Sequence, residues 1–200
     1  MGRISTSVRP AYRLDEIVDI AVRVFLERGY DATSMNDLAK AAQITKSSFY
    51  HHVSSKEELF ELGVGRALDA LFQVLKEPPA MTGPAAARVR YVLRRMVQII
   101  AERLPEVALL VRTHGNTPVE QKALHRRRQF DQAMTRLVEQ AVKDGELYPG
   151  MDPALFTRLA LGAAVSVVEW YRPAGRLKTE QLTDAVERLI FDSPVVIPDP

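Results

Sequence analysis

Hydrophobic positions along this chain recur at helical intervals, and strand-like alternation does not. From Leu14 to Arg28, Ile17, Ala21, Val24 and Phe25 fall at i, i+4, i+7 and i+8, one core-facing stripe that Gly29 ends. A short helix is expected over Asn36 to Ala42, where Ser34 with Asp37 makes a capping-box variant and Leu38 with Ala42 an apolar pair. Thr45 can cap a second short helix, and stepping about 100° per residue from Phe49 puts Val53 on the same face. Ser55 with Glu58 forms another capping box, so the next helix starts at Lys56. Its apolar pattern continues through Leu59, Leu62, Gly63, Ala67, Leu71 and Leu75 until Pro78-Pro79 stops it.

Pro78 to Pro84, with Gly83 between, is the clearest break, and a larger helical region follows. It opens with a helix over Ala85 to Arg103, which Leu104-Pro105 interrupts. Thr117, Pro118 and Glu120 supply a cap, an N1 proline and a capping-box acid for a long helix from Pro118 to Lys143 that Gly145 ends. Pro149-Gly150 turns the chain, and Asp152-Pro153 opens a helix running through Trp170 to a stop at Arg172-Pro173. Leu177 to Phe191 supplies the last helix, capped at Thr179, and the proline-rich Ser193 to Pro200 is expected to be frayed or extended. The fold class is therefore all-α. An N-terminal three-helix unit spans residues 10–55 with a helix-turn-helix at about 34–53; then come a connecting helix over 56–77, a larger helical domain over 84–192 and a tail over 193–200.

Composition narrows the functional classes. With 46% apolar and 26% charged residues among 200, the chain is an ordinary globular one. A net charge of only +2 means that any nucleic-acid affinity has to come from where side chains are placed. Arg3, Arg9 and Arg13 precede Leu14 with no acid among them, available to phosphates or a minor groove. The absence of cysteine excludes disulfides, thiolate zinc sites and thiol catalysis, and fits a reducing, cytoplasmic compartment. No signal peptide is expected. The longest apolar stretch, Leu159 to Val168, falls far short of the roughly 20 residues a bilayer requires, so it reads as a buried helix with no membrane partner. His51 and His52 diverge by about 100° on a helix and cannot easily share a metal. His114 and His125 sit in separate elements, and no HExxH, Gly-rich phosphate loop or GxSxG elbow occurs, so neither a metal site nor an enzyme is expected.

The chemistry lies opposite Phe49 and Val53. That arc carries Ser47, Ser48, Tyr50 and His51, with Lys46 on the flank, all donors or cations able to meet phosphates and base edges. A helix-turn-helix needs this layout: a short second helix held by a few apolar residues and free on its far side to enter the major groove. Across Ala21, Phe25, Glu27, Gly29, Tyr30, Thr33-Ser34, Asp37-Leu38-Ala39, Ala42, Ile44-Thr45-Lys46, Phe49-Tyr50-His51-His52 and Ser55-Lys56-Glu57-Glu58-Leu59, the sequence resembles the N-terminal domain of the TetR family of transcriptional repressors. It departs at Gln43, where the family most often has a glycine in a turn that commonly needs positive φ, and at Val53, which replaces the usual aromatic residue. The resemblance implies a double-stranded DNA operator bound through Thr33, Ser34, Lys46, Ser47, Ser48, Tyr50, His51 and Lys56. Thr33, Tyr50, His51 and Lys56 would mainly hold phosphates, and Lys46, Ser47 and Ser48 would read bases.

It also implies a C-terminal domain that binds a small molecule and forms a homodimer through its last two long helices, Asp152 to Tyr171 and Thr179 to Phe191. The small residues Leu161, Gly162, Ala163, Ala164 and Ser166 would permit close helix approach there; burial in the chain's own core accounts for them as well. Val111 to Asp131, DGELYPGMDP and EWYRPAG look like the family's regulators of fatty-acid and steroid breakdown, which respond to acyl-CoA thioesters. The effector-binding residues on that basis are Arg112, His114, Arg126, Trp170 and Tyr171. Arg126-Arg127-Arg128 can grip phosphates and Trp170 or Tyr171 can stack on adenine or line an acyl cavity, although three consecutive arginines point in three directions and usually sit in solvent. The expected function is a homodimeric repressor released from a palindromic operator by a small hydrophobic or acyl-CoA-type effector, with no other cofactor. A helical small-molecule-binding protein without operative DNA binding is the alternative.

Overall fold

The computed structural model describes residues 13–147 and 150–192. The expectations placed on Arg3 and Arg9, on the turn at Pro149 and on the tail over 193–200 lie outside the described residues. All regular structure among the described residues is helical: α1 (Leu14–Arg28), α2 (Met35–Ala41), α3 (Lys46–Tyr50), α4 (Lys56–Val74), α5 (Pro78–Met81), α6 (Ala85–Glu102), α7 (Leu104–Val111), α8 (Pro118–Lys143), α9 (Pro153–Trp170) and α10 (Thr179–Phe191). The chain divides into two compact units, Met1–Gly63 and Val64–Pro200, so the division falls inside α4, within the segment expected to connect them.

In the N-terminal unit, α1 buries Ile17, Ala21, Val24 and Phe25, the stripe its spacing predicts, together with Val18 and Val22. Phe25, Tyr30 and Phe60 pack as an aromatic cluster, with ring centroids 5.2 Å apart for Phe25–Tyr30 and 4.7 Å for Tyr30–Phe60. α2 starts at Met35, one residue earlier than expected, because Ser34 is itself the cap of a box completed by Asp37, which makes Met35 the first helical residue. The helix ends in a Schellman motif: the Gln43 amide donates to the Lys40 carbonyl and the Ile44 amide to the Ala39 carbonyl. That geometry forces the residue between into the left-handed region, and Gln43 has φ +56°. The end of α8 makes the same pair of bonds, with Gly145 at the equivalent position and φ +74°. Thr45 caps α3 by accepting the Ser48 amide at 3.1 Å. α4 begins at Lys56 as expected, but its box is split: the Glu58 amide donates to Ser55 Oγ at 3.2 Å, while the Glu58 carboxylate accepts from the amide and hydroxyl of Ser54 at 2.7 and 2.6 Å. Those two bonds from Ser54 hold the Glu58 carboxyl below its usual range.

The C-terminal unit is built around α6, α8, α9 and α10, whose Leu93, Val97, Ile100, Phe130, Val138, Ala164, Val167 and Leu182 form one buried cluster. α8 runs from Pro118 to Lys143 behind the Thr117–Glu120 capping box, and Asp152 caps α9 by accepting the amides of Ala154 and Leu155, both as the sequence predicts. Two helices escape the sequence pattern. Pro78 and Pro79 open α5, and Pro105 lies in the first turn of α7, where a missing amide costs nothing. α10 begins at Thr179 without its hydroxyl acting as cap; Lys178 holds that position, its amide donating to Gln181 Oε1 at 3.0 Å, and Thr179 Oγ1 instead lies 3.2 Å from the Tyr171 hydroxyl. Arg94 ties α6 to α10 through Asp184 at 2.7 Å and through Glu187.

By length and composition α9 is apolar enough to cross a membrane, a longer match than Leu159–Val168 suggested. Ala160, Leu161, Ala164, Val167 and Val168 are nevertheless packed into the core. Leu155, Leu159 and Trp170 on the same helix, and Leu189 on α10, stay exposed.

Gln43→Gly tests the turn. Glycine loses the left-handed penalty of about 1–2 kcal/mol and gives back about 0.5–1 kcal/mol in backbone entropy, so denaturant melts should show a gain of up to about 1 kcal/mol. A clear loss of stability means that contacts of the Gln43 side chain outweigh the left-handed penalty at this turn.

Candidate nucleic-acid interface and ligand cavity

α3 is five residues long and holds its place through two side chains: Phe49 is 1% exposed and Val53 3%. Around them Lys46, Ser47, Tyr50 and His51 are exposed and Ser48 is half-buried. No acid occurs between Ile44 and Lys56. The Lys46 ammonium lies 5.9 Å from the centroid of the Tyr50 ring, at the outer limit of a cation–π contact, so the two side chains lean together along one edge of the helix. This surface offers ammonium, hydroxyl and imidazole groups to a polyanion and presents no carboxylate to repel one.

A cavity of about 390 Å³ opens in the C-terminal unit. Leu71, Met96, Ile100, Phe130, Leu161 and Val165 give it an apolar lining, into which α8 sends Arg127, Asp131 and Thr135 and α9 sends Thr157 and Arg158. Burial pushes the Asp131 carboxyl above its usual range, and the Arg127 guanidinium one turn earlier only partly offsets this. The Thr157 hydroxyl is buried with no hydrogen-bond partner among the described residues.

Residues 17–62 match the family of bacterial regulatory proteins of the tetR type, and residues 82–193 match the tetracyclin repressor-like C-terminal domain. The chain belongs to the TetR family. It is 30% identical over 195 residues to the transcriptional repressor KstR2 of Mycolicibacterium smegmatis, covering 88% of each chain. Among solved structures it is similar to a TetR regulator from Streptomyces coelicolor, at 45% identity over 94% of this chain and 96% of that one, with a TM-score of 0.84. It is also similar to the ketosteroid regulator KstR2 of Mycobacterium tuberculosis, at 25% identity over 91% and 94% of the two chains and a TM-score of 0.80. The protein is thus an all-α, DNA-binding transcriptional regulator.

Not every residue expected to face DNA in a TetR chain is free to do so here. Thr33 is 2% exposed, and its hydroxyl donates to the Gly29 carbonyl at 2.7 Å, which makes it a tie within the α1–α2 connection. Lys56 spends its ammonium on three carbonyls, those of Tyr30 at 2.9 Å, Thr33 at 3.2 Å and Asp31 at 3.4 Å, and lies 4.5 Å from the Tyr30 ring centroid. An ammonium has three donors, and all three are used. Ser34 is exposed, but its one hydroxyl proton goes to Asp37 within the cap; this bond and the Ser34 amide hold the Asp37 carboxyl below its usual range. The polar groups of Thr33, Ser34 and Lys56 are therefore engaged within the chain, whereas Lys46, Ser47, Tyr50 and His51 stand exposed, with Ser48 half-buried.

None of the five residues expected to bind an effector lines this cavity. Arg112 and His114 are exposed beside the α7–α8 connection. Arg126 pairs with Asp69 at 2.6 Å, its guanidinium 5.6 Å from the Phe72 ring centroid. Trp170 is exposed and Tyr171 is buried against Thr179. The cavity's polar lining includes Arg127, the middle of the three arginines read from the sequence, and Asp131, Thr157 and Arg158, which the sequence reading does not single out. A usable signal was present: Arg127, Asp131 and Thr135 recur every fourth residue beside Phe130, polar groups on the stripe that faces the core.

Two outcomes follow from these placements. Lys56→Ala should cost about 1–2 kcal/mol of stability in denaturant while leaving the slope of log affinity against log salt at its wild-type value; a flatter slope means that Lys56 reaches phosphate. Asp131 holds its proton more tightly in the folded chain, so its contribution to stability is lost as pH rises from below the ordinary value of 3.8 through the raised one. Urea titrations should show Asp131→Asn gaining on wild type across that window and remaining ahead at neutral pH. A wild type that is the more stable at neutral pH rejects the assignment.

Proposed function

We propose that the protein is a homodimeric repressor that sets Lys46 to His51 of each subunit into successive major grooves, about 34–36 Å apart, of a palindromic operator. Lys46, Ser47 and Ser48 read base edges, and Tyr50 and His51 hold flanking phosphates. The observation that carries this is the acid-free exposed arc of α3 above the buried Phe49 and Val53. Dimerisation uses the outward side of α9, where Leu155, Leu159, Gly162 and Ser166 recur at helical spacing, together with the exposed Leu189 of α10. Two subunits are required because one five-residue helix touches too few bases for useful specificity. The protein acts in the cytoplasm, where the operator is, and no step of this mechanism is catalytic.

The effector we assign to the cavity is an acyl-CoA-type thioester. A volume of about 390 Å³ is at the lower end of ligand sites and takes an apolar acyl body, not a whole thioester. Arg127 and Arg158 make no ion pair among the described residues and suit an anionic ligand. The similarity to KstR2, one form of which is described as a ketosteroid regulator, supports a lipid-derived body. Effector binding favours a conformation whose two reading helices no longer match groove spacing, and a hundredfold loss of operator affinity needs only about 3 kcal/mol of differential binding.

Binding measured by gel shift on an operator selected with the wild-type protein tests the reader. Tyr50→Ala should weaken binding on the order of tenfold, about 1.4 kcal/mol, and Arg176→Ala, on an exposed loop, should not change it. Equal binding by wild type and Tyr50→Ala refutes the assignment of this surface.

A further inference from the structure

Building on the cavity as the effector site, we propose that the effector carries a hydroxyl on its apolar body and that Asp131 and Thr157 recognise it. Two polar groups of the cavity wall are not satisfied by the chain itself among the described residues. Threonines inside helices ordinarily return their hydroxyl to a carbonyl one turn back, as Thr135 does to Asp131 at 3.0 Å and Thr183 to Thr179 at 2.8 Å. Thr157 does not, and its Oγ1 is buried without a partner among the described residues. Asp131 lines the same cavity from the facing helix, and its carboxylate makes no direct hydrogen bond or ion pair among the described residues, the Arg127 guanidinium acting on it only at longer range.

These two groups define one complement. A hydroxyl brings a donor for the Asp131 carboxylate and lone pairs that accept from Thr157. A bare hydrocarbon satisfies neither and seals both away from water. A carbonyl accepts from Thr157 but leaves the carboxylate unanswered, and an ammonium answers Asp131 while meeting Arg127 and Arg158. Sites built to bond a ligand hydroxyl discriminate strongly against the analogue that lacks it, because their own polar groups are left unpaired. The cavity is therefore selective for oxygenated over plain acyl bodies.

Isothermal titration of the full-length protein with decanoyl-CoA, 3-hydroxydecanoyl-CoA and 10-hydroxydecanoyl-CoA tests this. At least one hydroxylated ester should bind wild type about tenfold more tightly than decanoyl-CoA, equivalent to about 1.4 kcal/mol. Thr157→Val and Asp131→Leu should each lose that preference. Thr157→Val should also melt at or above the wild-type temperature, since a methyl group replaces an unpaired buried hydroxyl; a lower melting temperature with the preference intact assigns Thr157 a purely structural part and overturns the proposal. Decanoyl-CoA binding as tightly as both hydroxylated esters overturns hydroxyl recognition and leaves the acyl effector standing. Binding by none of the three overturns both together.

Discussion

The surface proposed to read DNA depends on burying two side chains under a helix too short to exist alone. Isolated helices of fewer than about 12–15 residues are marginal in water, and α3 has five residues. Its conformation comes from Phe49 and Val53 pressed into the N-terminal core and from the Thr45 hydroxyl that satisfies the Ser48 amide. Burying a phenylalanine contributes about 1.5–3 kcal/mol and a cap about 1 kcal/mol, which together offset part of the cost of ordering the segment. The supporting ties share this purpose. Lys56 gathers the carbonyls of Tyr30, Asp31 and Thr33, and the Schellman bonds at Gln43 set where the chain leaves α2.

Caps and apolar spacing made most helices legible in the sequence. α1 and α8 have the expected bounds because Gly29 ends one and the Thr117–Glu120 box opens the other. α5 and α7 are hidden because Pro78-Pro79 and Pro105 read as breaks in the apolar pattern, although the fixed φ and absent amide that let Pro118 open α8 suit their first turns as well. The arc of α3 followed from two apolar residues and the helical repeat alone. Thr33, Ser34 and Lys56 resisted because their partners come from folding: the carbonyls that hold Lys56 lie 23 to 26 residues earlier in the chain. Residue type indicated a cation and could not show that it was already engaged.

The arginine run of α8 carries the same lesson for the cavity. Successive residues are turned by about 100°, so adjacent arginines of identical chemistry meet different surroundings. Arg126 turns to Asp69, while Arg127 shares the cavity side with Asp131. Helix phase against the core, which Phe130 records, separates them. The family membership settles the architecture and the DNA-reading role, whereas the occupant proposed for the cavity is argued from a few polar residues of its lining.

A reader that owes its shape to its seat can be silenced from below. Loosening around Phe49 would dissolve the helix while every exposed group remained chemically intact. Warmth or a destabilising change confined to residues before Gly63 could then abolish operator recognition in a protein whose cavity, framed by residues from Leu71 onward, still held its ligand. Sensing and reading would come apart at different temperatures, and intact ligand binding would be no guarantee of a working switch.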